Sequence, residues 1–221
     1  MTARAGALCL GLSSAPALAC DIALVLALDV SGSVDSHEYR MQADGLSAAL
    51  GDPIVSEALV NAAAIVAVVQ WSGQPHQMLV VPWTATKTHD DVAALRAHIE
   101  STPRAFRNYS TGIGEAIRVS ADLFETAPST CRRKVIDVSG DGSSNEGMAP
   151  DAVRDRLDLG RITVNGLAIE GSEDGIAQYY KERVIHGPAA FVEVARSFED
   201  FPRAIRRKLL RELADRLSEV R

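Results

Sequence analysis

The chain has 221 residues, of which 47% are hydrophobic and 5% aromatic, and its formal net charge is −6. This length and apolar content are sufficient for one sizeable core. An acidic chain with no basic block and few aromatic side chains argues against nucleic acid as the main partner.

The first nineteen residues are typical of an export signal. Arg4 precedes the apolar run Ala5 to Leu12, and Ala17-Leu18-Ala19 has the small-residue pattern of a cleavage site. No apolar run reaches the roughly 18–20 residues that a membrane-spanning helix requires. We therefore predict a signal peptide over residues 1–19, a single domain over residues 20–221, no transmembrane segment, and a periplasmic or secreted location.

A continuous apolar run from Ile22 to Leu28 comes next. Such a run is typical of a strand that is buried on both faces of a parallel sheet. Asp29, Ser31 and Ser33 follow at alternate positions, where ligands bind in open α/β sheets. Their hard oxygens suit Mg²⁺, Mn²⁺ or Ca²⁺. A capped turn is an equally good interpretation of these three residues alone, because Asp and Ser are common turn residues.

Helical and strand patterns alternate along the rest of the chain. Helices are predicted at about 35–50, 88–99, 112–124, 151–159, 176–183 and 198–219. Strands are predicted at 62–71, 78–81, 134–138, 162–169 and 191–195, and the segment 78–81 pairs as an antiparallel hairpin with 62–71. This order predicts a doubly wound α/β fold with a mostly parallel six-stranded sheet, one antiparallel edge strand and helices on both faces.

The last predicted helix combines an apolar stripe with a basic face. A basic amphipathic helix can bind a membrane or a partner protein. We favour the simpler interpretation, in which this face is solvated on the outside of the domain. Its members are Arg203, Arg206, Arg207, Lys208 and Arg211.

Two further loops carry oxygen-bearing side chains. Thr111 opens the helix predicted at 112–124, and Asp141 follows the strand predicted at 134–138. If the first and fourth strands are neighbours, Asp29 and Asp141 reach the same edge of the sheet. Two carboxylates and three hydroxyls would then converge, which fits an octahedral hard-cation site completed by water.

Together these three motifs resemble the metal-ion-dependent adhesion site of von Willebrand factor type A domains. The resemblance covers about residues 20–217, and the segment Val34 to Gln42 is similar to an uncharacterised bacterial branch of that superfamily. The third motif departs from the usual Thr-Asp-Gly, because Gly140 precedes Asp141. The matched positions are Asp29, Ser31, Ser33, Thr111 and Asp141.

The resemblance implies a binding module rather than an enzyme. It implies Mg²⁺, with Mn²⁺ or Ca²⁺ as alternatives, held by Ser31, Ser33 and Thr111. Asp29 and Asp141 would contact the metal directly or through water. A carboxylate from a partner protein would take the open coordination position.

The cysteines allow a separate prediction. Cys20 lies nine residues before Asp29, and Cys131 lies ten before Asp141. If the two Asp residues share one sheet edge, the two Cys residues share the other, so a disulfide between them is plausible in an exported protein. The alternatives are two free thiols, or lipid attachment at Cys20 after signal cleavage.

The strongest enzyme alternative is a metal-dependent phosphohydrolase of the haloacid dehalogenase type. That family also places an Asp after its first strand, and a later Gly-Asp-Gly loop is matched by Gly140, Asp141 and Gly142. Its first motif, however, has a second Asp that performs acid–base chemistry. Ser31 occupies that position here and cannot perform this chemistry near neutral pH.

Overall fold

The computed structural model describes residues 20–107, 109–156 and 159–214. Within these residues six strands form one sheet, and its strand order is β3-β2-β1-β4-β5-β6. Only β3 is antiparallel to its neighbour. The strands are β1 (Ile22–Asp29), β2 (Ile65–Trp71), β3 (Gln77–Ala85), β4 (Arg133–Gly140), β5 (Ile162–Ile169) and β6 (Val192–Ala195).

Helices cover both faces of this sheet. On one face Leu24 and Leu26 of β1 pack in a core with the helices at 36–50 and 201–214, and on the other face Val25 packs with the helix at 113–123. The predicted fold class is therefore confirmed. The helices of the described residues are α1 (Ser36–Leu50), α2 (Pro53–Asn61), α3 (His89–Ser101), α4 (Ile113–Leu123), α5 (Pro150–Arg156), α6 (Ile176–Tyr179) and α7 (Phe201–Ala214).

Helix α2 was not predicted from the sequence, which indicated only that α1 stops near Gly51. The side chain of Asp52 accepts hydrogen bonds from the backbone N–H groups of Ile54 and Val55, and Pro53 occupies the first turn. Proline suits that position because its fixed φ matches the helix and no N–H is needed there. The same Asp-Pro pair therefore follows one helix and begins the next.

The position of Lys208 on α7 differs from the prediction. Arg203 and Arg206 do form ion pairs at the surface, with Asp200 and Asp52. The side chain of Lys208 is 0% exposed, so its assignment to the outer face was wrong. It lies inside because buried carboxylates accept its charge there.

The register of the sheet brings the proposed site together. Asp29 is aligned with Trp71 of β2, and Leu28 is aligned with Ser139 of β4. β1 and β4 are neighbours, which was the condition for Asp29 and Asp141 to share an edge, and the carboxyl ends of these two central strands meet there. No helix of the described residues is long and apolar enough to cross a membrane. The predicted signal peptide, residues 1–19, lies outside the residues that the structure describes.

Candidate metal centre

Asp29 is the last residue of β1, and its side chain is turned back onto the following loop. The backbone N–H of Ser31 donates to Asp29 Oδ1 over 2.7 Å. Gln42 of α1 donates from Nε2 to the carbonyl oxygen of Asp29, and Arg104 donates to the carbonyls of Val30 and Ser31. These contacts from two other segments fix the loop and leave the second carboxylate oxygen of Asp29 without a hydrogen-bond partner among the described residues.

The other predicted ligands meet this loop through hydroxyl groups. Thr111, just before α4, donates from Oγ1 to Ser31 Oγ over 3.3 Å. Ser31 Oγ and Ser33 Oγ are also 3.3 Å apart, and Ser33 Oγ donates to Asp141 Oδ1 over 2.7 Å. The structure therefore brings all five predicted residues into one hydrogen-bonded cluster at the carboxyl edge of the sheet.

Gly140 makes the close approach of Asp29 to β4 possible. A Cβ atom at this position would lie 2.6 Å from Tyr180 Oη and 2.8 Å from Asp29 Oδ2. Both distances are shorter than real Cβ contacts allow, and Asp29 is fully buried. The glycine that departs from the usual third motif therefore gives room to the side chain of the first motif.

Two buried carboxylates face each other across this cluster with oxygens that lack partners. Asp29 Oδ2, Asp141 Oδ2 and Tyr180 Oη have no hydrogen-bond partner in the described part of the chain. Burial, and after it the negative charge of Asp141, raise the pKa of Asp29 to about 7. Burial and the charges of the same two carboxylates raise the pKa of Tyr180 well above its usual value. Each shift reflects first the burial of the group and second the negative charge of the neighbouring carboxylates.

The donor set fits a hard divalent cation. It offers carboxylate and hydroxyl oxygens, which Mg²⁺, Mn²⁺ and Ca²⁺ prefer to softer ligands. A cation there would supply both the missing positive charge and a partner for the unpaired oxygens. No group of three or more His, Cys, Asp or Glu side chains suited to a metal occurs among the described residues. With two carboxylates, the cluster would depend on its hydroxyl groups as ligands.

Sequence analysis missed three residues that shape this cluster. Tyr180 lies directly after α6 and is fully buried with its hydroxyl beside Gly140. Gln42 and Arg104 act through backbone carbonyls. Nothing in the sequence spacing identifies these residues, because each comes from a segment whose position depends on the packing of the whole sheet.

The opposite edge of the sheet holds the predicted cysteine pair. The structure joins Cys20 and Cys131 in a disulfide whose Cα atoms are 4.6 Å apart. The backbone N–H of Arg132 also donates to the carbonyl of Cys20, which aligns the two chain segments before β1 and β4. A sulfur bonded in this way is not available for the lipid attachment considered as an alternative.

Comparison with known protein families gives one match. A family model described as "Protein of unknown function (DUF1194)" matches residues 19–217. No curated protein matches the chain.

Solved structures are similar in fold. A von Willebrand factor type A protein from Catenulispora acidiphila has a TM-score of 0.62 and 18% identity, over 87% of this chain and 43% of that one. Proximal thread matrix protein 1 from the mussel byssus, with a zinc-occupied MIDAS motif, has a TM-score of 0.61 and 20% identity, over 90% of this chain and 49% of that one. The chain spans less than half the length of these two proteins. The VWA domain of SpRpn10 has a TM-score of 0.57 and 11% identity, over 82% and 93%. At these identities the comparisons establish a von Willebrand factor type A fold.

Proposed function

The chain belongs to the DUF1194 family of proteins of unknown function, and we propose that it is an exported module that binds a partner protein through a divalent cation. The observation that carries this proposal is the pair of buried carboxylates, Asp29 and Asp141, each with an oxygen that lacks a partner among the described residues. Burying unpaired charge is costly unless a cation or donor compensates it. If the two carboxylates served only to stabilise the fold, we would expect a hydrogen-bond donor beside each of these oxygens.

Five side chains would hold the cation. The hydroxyls of Ser31, Ser33 and Thr111 would serve as neutral ligands, and Asp29 and Asp141 would contact the ion directly or through water. The zinc-occupied motif of the mussel byssus protein supports a divalent cation in this fold. The all-oxygen donor set favours Mg²⁺, with Mn²⁺ or Ca²⁺ as alternatives.

The surroundings of the cluster support a protein as the partner. Ser33 and Gly32 are exposed, whereas Asp29 and Asp141 are fully buried, so the cluster opens to solvent on the side of the serine loop. Tyr109 is 46% exposed beside this opening, and its carbonyl accepts from Gly32 N–H. Exposed aromatic rings are enriched in protein interfaces. When bound, the cation supplies a coordination position for a carboxylate of the partner.

Export is part of the same proposal. The pattern of residues 1–19 and the disulfide between Cys20 and Cys131 support it, because disulfides persist in oxidising compartments.

A thermal-shift titration tests the cation site. After treatment with EDTA and dialysis, Mg²⁺ is expected to raise the Tm of the wild type, because a ligand that binds only the folded state stabilises it by about 2.7 kcal/mol at one hundred times its Kd. The variant Asp29→Asn keeps the shape of the side chain and should show no shift. The matched control is Asp44→Ala, which removes an exposed carboxylate of α1 and should respond as the wild type does. Absence of any wild-type response to Mg²⁺, Mn²⁺ and Ca²⁺ would contradict the proposal.

The role of the site is tested separately. A partner is expected to be retained by the immobilised wild type with Mg²⁺, and to be lost both with EDTA and with Asp29→Asn. Hydrolysis of a generic phosphate ester by the wild type but not by Asp29→Asn would instead favour the phosphohydrolase alternative.

A further inference from the structure

A cavity of about 180 Å³ lies at the end of the sheet opposite the candidate metal centre. Its walls come from the starts of β4 and β5, the segment before β6 and the second half of α7. Four arginines line it, two from the start of β4, one from the turn before β5 and one from α7. They are Arg132, Arg133, Arg161 and Arg211.

Arg132 and Arg133 already have partners, so the positive charge that the cavity can offer to a ligand comes mainly from Arg161 and Arg211. Asp21 pairs with Arg132 over 2.7 Å and with Arg133 over 2.8 Å. Arg161 and Arg211 form no ion pair with any carboxylate in the described part of the chain. Glu212 also lines the cavity, and it shares the cation of Lys208, 2.7 Å away, with Asp137.

Contacts within the fold orient three of the lining groups. Arg133 Nη1 donates to the carbonyl oxygen of Glu212 over 2.7 Å, which links β4 to α7. The guanidinium of Arg211 lies 3.8 Å from the centre of the Phe191 ring and stacks on it. Asn165 Nδ2 donates to Glu212 Oε1, and Asn165 Oδ1 accepts from Phe191 N–H. These three groups are therefore ordered by the protein itself, whereas Arg161 is exposed at the rim of the cavity.

The size and chemistry of the cavity select a small anion. Its volume is below the roughly 300 Å³ at which pockets for drug-sized ligands begin. The planar fork of a guanidinium matches oxyanions by paired hydrogen bonds, and several such forks around one cavity suit a ligand with several acceptor oxygens. A phosphate group offers more acceptor oxygens than a carboxylate does, so it can accept from two guanidinium groups at once.

We propose that this cavity binds a small phosphate-bearing ligand, either inorganic phosphate as its hydrogen-phosphate form or a phosphate monoester. The site is separate from the candidate metal centre, and its ligand would be held by Arg161 and Arg211 with support from Arg132 and Arg133. This inference does not depend on the proposed cation-binding function, because none of its residues belongs to the cluster around Asp29.

Isothermal titration calorimetry with inorganic phosphate tests the proposal. The protein is held at constant ionic strength with chloride, and EDTA is present so that binding to a residual metal ion is excluded. Phosphate is expected to bind the wild type, and Arg161→Ala and Arg211→Ala are each expected to weaken binding by about tenfold or more, as loss of a charge-assisted hydrogen bond implies. Glycerol phosphate serves as the monoester, and tighter binding of one ligand identifies which of the two forms the cavity takes.

Matched variants separate a specific site from general electrostatic attraction. Arg40→Ala removes an exposed arginine of α1 and should leave phosphate binding unchanged. Arg211→Lys keeps the charge but loses the fork and the flat stacking group, so it should weaken binding nearly as much as Arg211→Ala does. Asp29→Asn should bind phosphate as the wild type does, whatever the outcome at the metal centre.

Two results would overturn the proposal. One is the absence of phosphate and glycerol phosphate binding to a wild type whose thermal melt shows that it is folded. The other is equal weakening of phosphate binding by Arg40→Ala and by the two cavity variants. That result would show that phosphate is attracted by the overall charge of the protein and not by this cavity.

Discussion

At the scale of single residues, Gly140 determines how the two carboxylates of the proposed metal site meet. Its missing side chain leaves room for both Asp29 and Tyr180 beside β4. This explains why a glycine precedes Asp141, where the usual adhesion motif has another residue. The sequence alone gave no reason for this difference. The residue before Asp141 is small because the side chain from the neighbouring strand fills the space.

We expect Gly140→Ala to displace Asp29 and to destabilise the protein by about 1–3 kcal/mol, as overpacking does in well-packed interiors. Cation binding, measured by the Mg²⁺-dependent change in Tm, should be weakened as well. Gly142→Ala is the matched control, because the nearest atom to its added Cβ is Glu173 Oε2 at 3.6 Å, an ordinary contact. Equal behaviour of the two variants would show that the space beside Gly140 is not limiting.

At the scale of elements, a buried ion cluster joins α7 to the sheet. Lys208 Nζ lies 2.7 Å from Asp137 Oδ1 of β4 and 2.7 Å from Glu212 Oε1, and none of the three side chains is more than 1% exposed. Asn165 of β5 donates to the same Glu212 oxygen. The helix is therefore held against two strands by polar contacts in addition to its apolar stripe.

Lys208→Met tests this arrangement. The variant keeps much of the side-chain volume but leaves two buried carboxylates without a cation, which is expected to cost about 3–5 kcal/mol of unfolding free energy. Chemical denaturation measures the change. The control Arg207→Met removes a neighbouring cation that is 37% exposed and pairs with Glu193, so a loss of at most about 1 kcal/mol is expected. A Lys208→Met protein as stable as the wild type would show that the carboxylates are neutral in the folded state.

At the scale of the whole molecule, the two ends of the sheet have different roles. The carboxyl edge carries the proposed cation site, and the amino edge carries the disulfide and the arginine-lined cavity. The disulfide connects residues separated by 111 positions, which lie just before the neighbouring central strands β1 and β4. It therefore closes a loop of the chain that contains the strands β1, β2 and β3.

Removing the disulfide by the double change Cys20→Ser and Cys131→Ser should lower the unfolding free energy by about 4–5 kcal/mol in the chain-entropy model for a loop of this length. Denaturation of the wild type with a reductant should give the same loss, whereas the double variant should not respond to the reductant. Intact mass of the purified protein under non-reducing conditions provides the independent check. Two free thiols in that protein would contradict the disulfide.

Much of this architecture follows from local sequence patterns. Apolar runs mark the buried strands, alternating elements predict the parallel sheet, and Asp29, Thr111 and Asp141 stand at the ends of elements whose order brings them to one edge. The separation of each cysteine from its following Asp predicted the disulfide in the same way. These conclusions follow from strand direction and a fixed rise per residue once β1 and β4 are neighbours, which the structure shows.

Only the tertiary structure decided which polar groups meet across the core. The sequence placed Lys208 on the outer face of α7 by its charge, and gave no reason for Tyr180 or Gly140 to lie beside Asp29. Burial of a charge depends on a partner from a distant segment, and the space for a side chain depends on the register of neighbouring strands. Local periodicity carries neither kind of information, so the five residues of the candidate metal site could be named from the sequence, whereas their supporting contacts and the arginine-lined cavity at the other edge could not.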